Sequence, residues 1–491
     1  MKKFLALALA LLMILPVLAS CSKKNTEEEK VDPSAIKEST SDSETVKYVN
    51  EKYGSYKYNG DSFRILAFSP GENYQGFASE ESTEIWYEED SADTLQHAVF
   101  TRNVLTEDLL GIKIVPQFGG TAREVADLTQ TLVKAGGDEV DLIQNSHTEN
   151  LPKAMANNFY NLYAIETFDP TEEWWDQDYV NTFTVKKHQL STITGDYLTM
   201  DDYSTPVVFY NKQVVENLSL EDPADLVEAG TWTLDSMMQM AASATSDTSG
   251  DGKMDENDSW GLLDNGYSLS HFISGCNAPM TALDDEGVPQ VVIEQETFLN
   301  AVQAVFEKVS TSPAYLNADN GTDVEIIVDD RGLFYYELLG GIYNFREMES
   351  VFSLLPLPKL NEQQETYTSI ANGTWCTTLA IPITVKDINK VGVIVSVLGG
   401  MSTDTVDKAL NEIVLGPNLF RVKRTVEMFD YCVKSRRFDW TNGVSWANPI
   451  YSAISDQEKN STFTFASSLQ KNIKVVKAQL KRFIVTYNPA N

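Results

Sequence analysis

The segment Asp247-Thr248-Ser249-Gly250-Asp251-Gly252-Lys253-Met254-Asp255-Glu256-Asn257-Asp258 follows the EF-hand ligand spacing, with oxygen side chains at loop positions 1, 3, 5, 9 and 12 and glycine at 6. Asp247, Ser249, Asp251, Asp255 and Asp258, with the Lys253 carbonyl, could surround a structural Ca²⁺. Ser249 replaces the usual Asp or Asn, and Asp258 is shorter than the usual bidentate Glu, so affinity should be weak. The competing reading is a solvated acidic turn between a helix and a strand. Catalytic chemistry finds less support. His97, His147, His188 and His271 are widely spaced, with no His-x-x-x-His or Cys-x-x-Cys companion, which argues against a catalytic zinc site. Neither a Gly-x-x-x-x-Gly-Lys phosphate loop nor a Gly-x-Ser-x-Gly elbow occurs. His271 and Cys276 are close in sequence but lack a third member to orient the base, so a partly buried turn is the plainer reading. No catalytic cofactor is expected. With 71 Asp and Glu residues, carboxylate pairs are available everywhere and discriminate nothing, so a surface glycoside hydrolase stays open as the rival class.

Cys21 closes the run Leu18-Ala19-Ser20-Cys21, after a positive start (Lys2, Lys3) and a continuous apolar stretch over 4–17 that is too short to span a bilayer. This is an export signal whose cleavage site resembles a bacterial lipobox, in which the cysteine becomes the lipidated first residue. The alternative is a secreted chain with a chance cysteine. The expectation is a signal peptide over 1–20 and a disordered tether over 21–60. That tether is polar and nearly without large aliphatics, and extended it reaches on the order of 130 Å at ~3.3 Å per residue. The net charge of −33 argues against nucleic acid and against a direct role on anionic lipid. With Cys21 acylated, Cys276, Cys376 and Cys432 allow at most one disulfide, and none is expected.

Residue periodicity supplies the elements that must position any site. A strand over 63–68, a helix over 93–110, a strand over 112–115, a helix over 122–135, a strand over 140–143 and a helix over 150–157 alternate as in a parallel α/β sheet. A β-rich crossing segment spans 204–212, an apolar strand returns over 351–358, and 367–382 is again rich in β-formers. The last hundred residues read as helical. Two lobes assembled from discontinuous pieces follow, 61–203 plus 358–400 and 204–357 plus 401–491. The absence of a fixed-period repeat or of many short sandwich strands speaks against an adhesin.

The lipobox, the tether, Phe209-Tyr210-Asn211-Lys212, Gly230-Thr231-Trp232-Thr233, Asp258-Ser259-Trp260-Gly261 and Leu355-Pro356-Leu357-Pro358-Lys359 occur in an order and spacing that resembles family 1 extracellular solute-binding proteins. These are lipid-anchored, maltose-binding-protein-like receptors of ABC importers. The resemblance runs from about residue 61 to the end. It implies a type II periplasmic-binding-protein-like α/β fold, two lobes joined by a hinge of crossing strands, closing on a sugar or oligosaccharide without chemistry. It also implies permease subunits as partners, a membrane anchored through lipid on the extracellular or periplasmic face, and a monomer. A peptide or another polar solute remains an alternative.

A sugar ring needs a flat aromatic platform and planar hydrogen-bonding groups. Candidates are Trp174 and Trp175, Asp202 and Tyr203 before the first crossing, Tyr335, Tyr336 and Glu337 before Gly340-Gly341, Arg346 as a bidentate donor, and Trp375 in the loop 372–375. In each adjacent aromatic pair one ring is expected in the core. Trp232 and Trp260 are assigned to packing.

Overall fold

The computed structural model describes residues 43–72, 81–264, 266, 268–318, 322–345, 348–414, 423–442, 444–458 and 462–490. The signal peptide, Cys21 and Arg346 lie outside the described residues. Nine strands build two sheets: β1 (Asp61–Ala67), β2 (Ile112–Phe118), β3 (Leu142–Ser146), β4 (Pro206–Asn211), β5 (Trp260–Asp264), β6 (Tyr315–Asn317), β7 (Gly332–Leu338), β8 (Phe352–Pro356) and β9 (Thr377–Ala380).

The first sheet has the order β9-β3-β1-β2, with β1 parallel to β2 and β3 and with β9 antiparallel to β3. Its helices begin and end where local chemistry dictates. Thr121 and Glu124 form a reciprocal capping box on helix Ala122–Ala135, and Gly136 leaves it in the left-handed conformation at φ 69°. Asp93 caps helix Thr94–Leu110 by accepting from the Leu95 and Gln96 amides. The second sheet has the order β8-β4-β7-β5-β6, in which β5 runs parallel to β6 and β7 while β4 is antiparallel to both β7 and β8.

The first sheet thus takes its edge strand β9 from beyond the stretch that builds the second sheet. The strand read over 140–143 runs later, over Leu142–Ser146, and the helix after it starts at His147 rather than 150. Segment 206–211 is not itself the crossing; it is buried inside the second sheet. The chain crosses at 203–205 and at 370–376, and these two passes are bonded to each other, the Asn372 amide donating to the Ser204 carbonyl at 2.9 Å. Leu339 N–H donates to Thr205 O at 2.8 Å and ties the end of β7 to the same place.

Two boundaries move. The stretch read as a disordered tether ends early, because Glu44–Tyr53 is a helix capped by the Ser43 side chain, with Val46, Val49 and Tyr53 buried at helical spacing. Three apolar side chains on one stripe suffice to dock a short helix that is polar elsewhere. The first lobe also extends beyond 400. Val406 and Ala409 pack with Leu95, Ala98 and Val99 on helix Thr94–Leu110, while Leu410 beside them joins the second lobe's apolar cluster, so this stretch bridges the lobes.

Helix Ile388–Ser402 is buried along most of its length. Gly399 and Gly400 leave room there for Trp174: a Cβ on Gly399 would stand 2.5 Å from Trp174 Cδ1 and 3.0 Å from the Trp175 ring. Gly399→Ala should therefore overpack the first lobe and destabilise it by about 1–3 kcal/mol in denaturant unfolding. An unchanged midpoint would show that this helix does not set the position of the two indoles.

Candidate functional site

In parallel α/β sheets ligands collect beyond the carboxyl ends of the strands. Here β7 ends at Leu338 beside the crossing passes, and this is where the anticipated residues gather. Tyr203 and Tyr335 lie in one apolar cluster with Leu338, Ile342 and Phe345, and Tyr343 and Trp375 pack against it half-buried. The Tyr203 and Tyr343 hydroxyls are 2.7 Å apart, with ring centroids at 5.8 Å and an interplanar angle of 71°. Tyr335 donates to Glu337 Oε2 at 3.3 Å, and the Leu338 amide donates to Oε1 at 2.7 Å. Trp375 and Tyr343, each packed against this cluster, and Glu337, bonded to its Tyr335, all stay half-buried, and an indole, a phenol and a carboxylate are group types suited to an apolar ring face rimmed by hydroxyls.

Trp174 and Trp175 are corrected from ligand contacts to core. They are 3% and 1% exposed, Trp174 against the Gly399-Gly400 step and Trp175 against Phe168 at 5.4 Å. Both members of the tyrosine pair are buried, not one. They point to opposite faces of β7, and Tyr336 stacks on His271 at 5.5 Å and 18°, its hydroxyl 2.5 Å from Nδ1. Trp232 is buried as expected, its indole N–H donating to Pro356 O at 2.9 Å.

Asp202 is near the site but engaged. Its carboxylate meets the Arg436 guanidinium, which also donates to Asp176 Oδ2 at 2.6 and 3.0 Å. Burial opposes charge on Arg436, but Asp202, Asp176 and Asp201 together hold its pKa well above the ordinary value. Burial drives the other way on the surplus acids: Asp201 and Asp196 are pushed well up, and Asp407 to about 7. From Arg436 the chain runs on as a strap between the lobes. Phe438 N–H donates to Asp178 (2.9 Å), the Trp440 indole to Thr182 O (2.8 Å), and Asp439 accepts from the Met280 and Thr281 amides (3.0 and 2.9 Å).

Arg436 and Asp439 escaped sequence reasoning, as did Glu84. That buried carboxylate accepts from the Thr199 and Met200 amides (2.7 and 2.9 Å), Thr377 Oγ1 (3.0 Å) and Gln144, fixing the short helix that carries Asp202 and Tyr203.

Nucleophilic chemistry gains no geometry. Burial pushes the Cys276 thiol up to about 12, and the neighbouring His271 ring is engaged by Tyr336. Cys276, Cys376 and Cys432 are free and buried. In the acidic loop Gly250 and Gly252 take φ of 75° and 83°, and Gly252 N–H donates to Asp247 Oδ2 at 2.8 Å. Asp258 accepts from the Thr248, Ser249 and Asp255 amides at 3.0, 3.0 and 2.8 Å, and these bonds hold its pKa below the usual range. Among the described residues no three acidic, histidine or cysteine side chains converge closely enough to hold an ion.

Burial, reinforced by Asp323 and Asp264 and opposed by the Leu338 amide, pushes Glu337 from 4.5 up to about 7. The folded chain then keeps a proton between those values that the unfolded chain has released, so stability falls as pH rises from 4.5 through 7 and stays lowered above it. Glu337→Gln should raise stability at pH 8 by about 1–2 kcal/mol, after allowing for partial exposure, and leave it unchanged at pH 4. Equal effects at both pH values in thermal melts would refute the raised pKa.

No protein-family model matches this chain, and no curated protein matches its sequence. Its fold does match solved structures. UspC of M. tuberculosis aligns over 85% of this chain and 99% of its own at 12% identity and TM-score 0.57. A cyclo/maltodextrin-binding protein complexed with maltotetraose aligns over 87% and 98% at 12% identity and TM-score 0.57. An ABC substrate-binding protein from Listeria monocytogenes in complex with cycloalternan aligns over 86% and 99% at 12% identity and TM-score 0.53. The chain has the two-lobed α/β solute-binding fold.

Proposed function

We propose that this protein is the extracellular solute-binding receptor of an ABC importer, holding a sugar or oligosaccharide between its lobes and passing it to the permease without chemical change. The reading is supported by a fold shared with proteins solved in complex with maltotetraose and cycloalternan, together with half-buried Tyr343 and Trp375 on the apolar cluster by the crossing passes and half-buried Glu337 near the carboxyl end of β7. Acylation at Cys21 would hold the body on the outer face of a membrane, with the chain up to Ser43 as its leash. Lobe closure around the ligand would couple occupancy to docking on the permease.

A glycan thermal-shift screen tests this. A true ligand at 100 times its dissociation constant adds about 2.7 kcal/mol of stability, and Trp375→Ala should reduce the affinity for that ligand by about 1–3 kcal/mol, measured against the variant's own unliganded melt. Saturation of the wild type by a peptide instead of any glycan, or turnover of a glycan, would replace the sugar-receptor reading.

The calcium reading is a second proposal. The left-handed Gly252 and its bond to Asp247 support a loop already bent for a cation, though Asp251 and Asp255 must turn from the Lys253 and Asn257 amides to reach one. Calorimetry should detect uptake at millimolar Ca²⁺ that Asp247→Asn together with Asp251→Asn abolishes. Absence of heat and of any melting shift with chelator removes the proposal.

A further inference from the structure

The C-terminal helix Phe465–Thr486 departs from the rest of the chain in charge. It carries Lys471, Lys474, Lys477, Lys481 and Arg482 and no acidic residue, in a protein with 71 acidic against 38 basic residues. Its buried stripe is Leu469, Ile473, Val476, Leu480 and Ile484. At 100° per residue, Lys471, Lys474, Lys481 and Arg482 lie on the opposite side within an arc of about 120°, and the same arc holds Val475 and Val485. Those two valines are 52% and 74% exposed, the highest values among the exposed large apolar side chains of the described residues. Lys477 is paired with Glu294, but no salt bridge to Lys471, Lys474, Lys481 or Arg482 is found among the described residues. At one edge of the face, Lys481 and Val485 also line a groove of about 510 Å³ against Val288–Val291.

We propose that this face is a contact surface for an anionic phospholipid bilayer, the cations meeting phosphate headgroups and the two valines entering the interface. Cations interleaved with exposed valines favour lipid over an acidic protein, which would need only the charge. The overall charge of −33 does not forbid it: the Debye length is about 8 Å at physiological ionic strength, so acids elsewhere on the body are screened and the local patch decides. Each cation near an anionic surface raises the partition about fivefold, so four give several hundredfold, weak for a free protein but enough for one already leashed to the membrane. The physiological relevance rests on the proposed lipid anchor; the contact itself does not.

The test uses residues 22–491 with Cys21 absent, so neither an acyl chain nor the apolar signal contributes, and needs no sugar. Sedimentation with phosphatidylglycerol–phosphatidylcholine vesicles at low salt should show binding that phosphatidylcholine vesicles do not, and that fades at 0.5 M salt. The quadruple variant K471Q/K474Q/K481Q/R482Q, with an unchanged melt, should bind at least fiftyfold more weakly. Undiminished binding of the variant, no preference for anionic lipid in the wild type, or capture of soluble polyglutamate with vesicles ignored would overturn the proposal, the last in favour of an acidic protein partner.

Discussion

A single buried guanidinium holds the architecture at the point where the lobes meet. Arg436 follows helix Lys423–Ser435, which lies on β8 of the second lobe, and it is gripped by Asp176 of the first lobe and by Asp202 of the crossing pass. Removing one partner of such a pair typically costs several kcal/mol, because the charge that remains is stranded away from water. Asp196, Asp201 and Asp407 share this neighbourhood with one cation between them, which is why burial can push their carboxyls up toward the neutral form. Any relative movement of the lobes must carry Arg436 and its aspartates together or break the cluster, so the pair constrains which opening motions are cheap.

That constraint also redefines Asp202. Read from the chain, it is an acceptor just before the first crossing segment; in the fold its Oδ1 is engaged by Arg436, which lies 234 residues away. Glu84 acts in the same manner one step further back, since its contacts to 199–200, Thr377 and Gln144 pin both crossing passes to the first sheet. Polar groups so placed fix the crossing passes through bonds that span the sequence.

The fold was legible because it rests on local signals. Alternating apolar strands, capped helices and the return of β-formers at 351–358 and 367–382 each act within a dozen residues, and together they specify two lobes from interrupted pieces. The site was legible only where burial is partial. Trp375 sits in a loop between strands and remained half-exposed, whereas Trp174 and Trp175 look equally suited to a sugar face until Gly399 and Gly400, more than two hundred residues later, provide the hollow that buries them. Helix Glu44–Tyr53 was hidden for the opposite reason: its few apolar residues are diluted by charge, and the stripe has meaning only against the helix it docks on.

Charge shows the same separation between sum and arrangement. A net of −33 describes a sphere of uniform acidity that does not exist. The acidic excess is partly spent inside, on Arg436 and on backbone amides such as those around Asp258 and Glu84, while the cations of the last helix are displayed outward on one face. Because screening confines each surface to about a Debye length, the end of β7 and the basic helix behave as independent electrostatic environments on one body. Burial pushes the Glu337 carboxyl up to about 7, so near neutral pH it can present both a donor and an acceptor whatever the total charge of the chain.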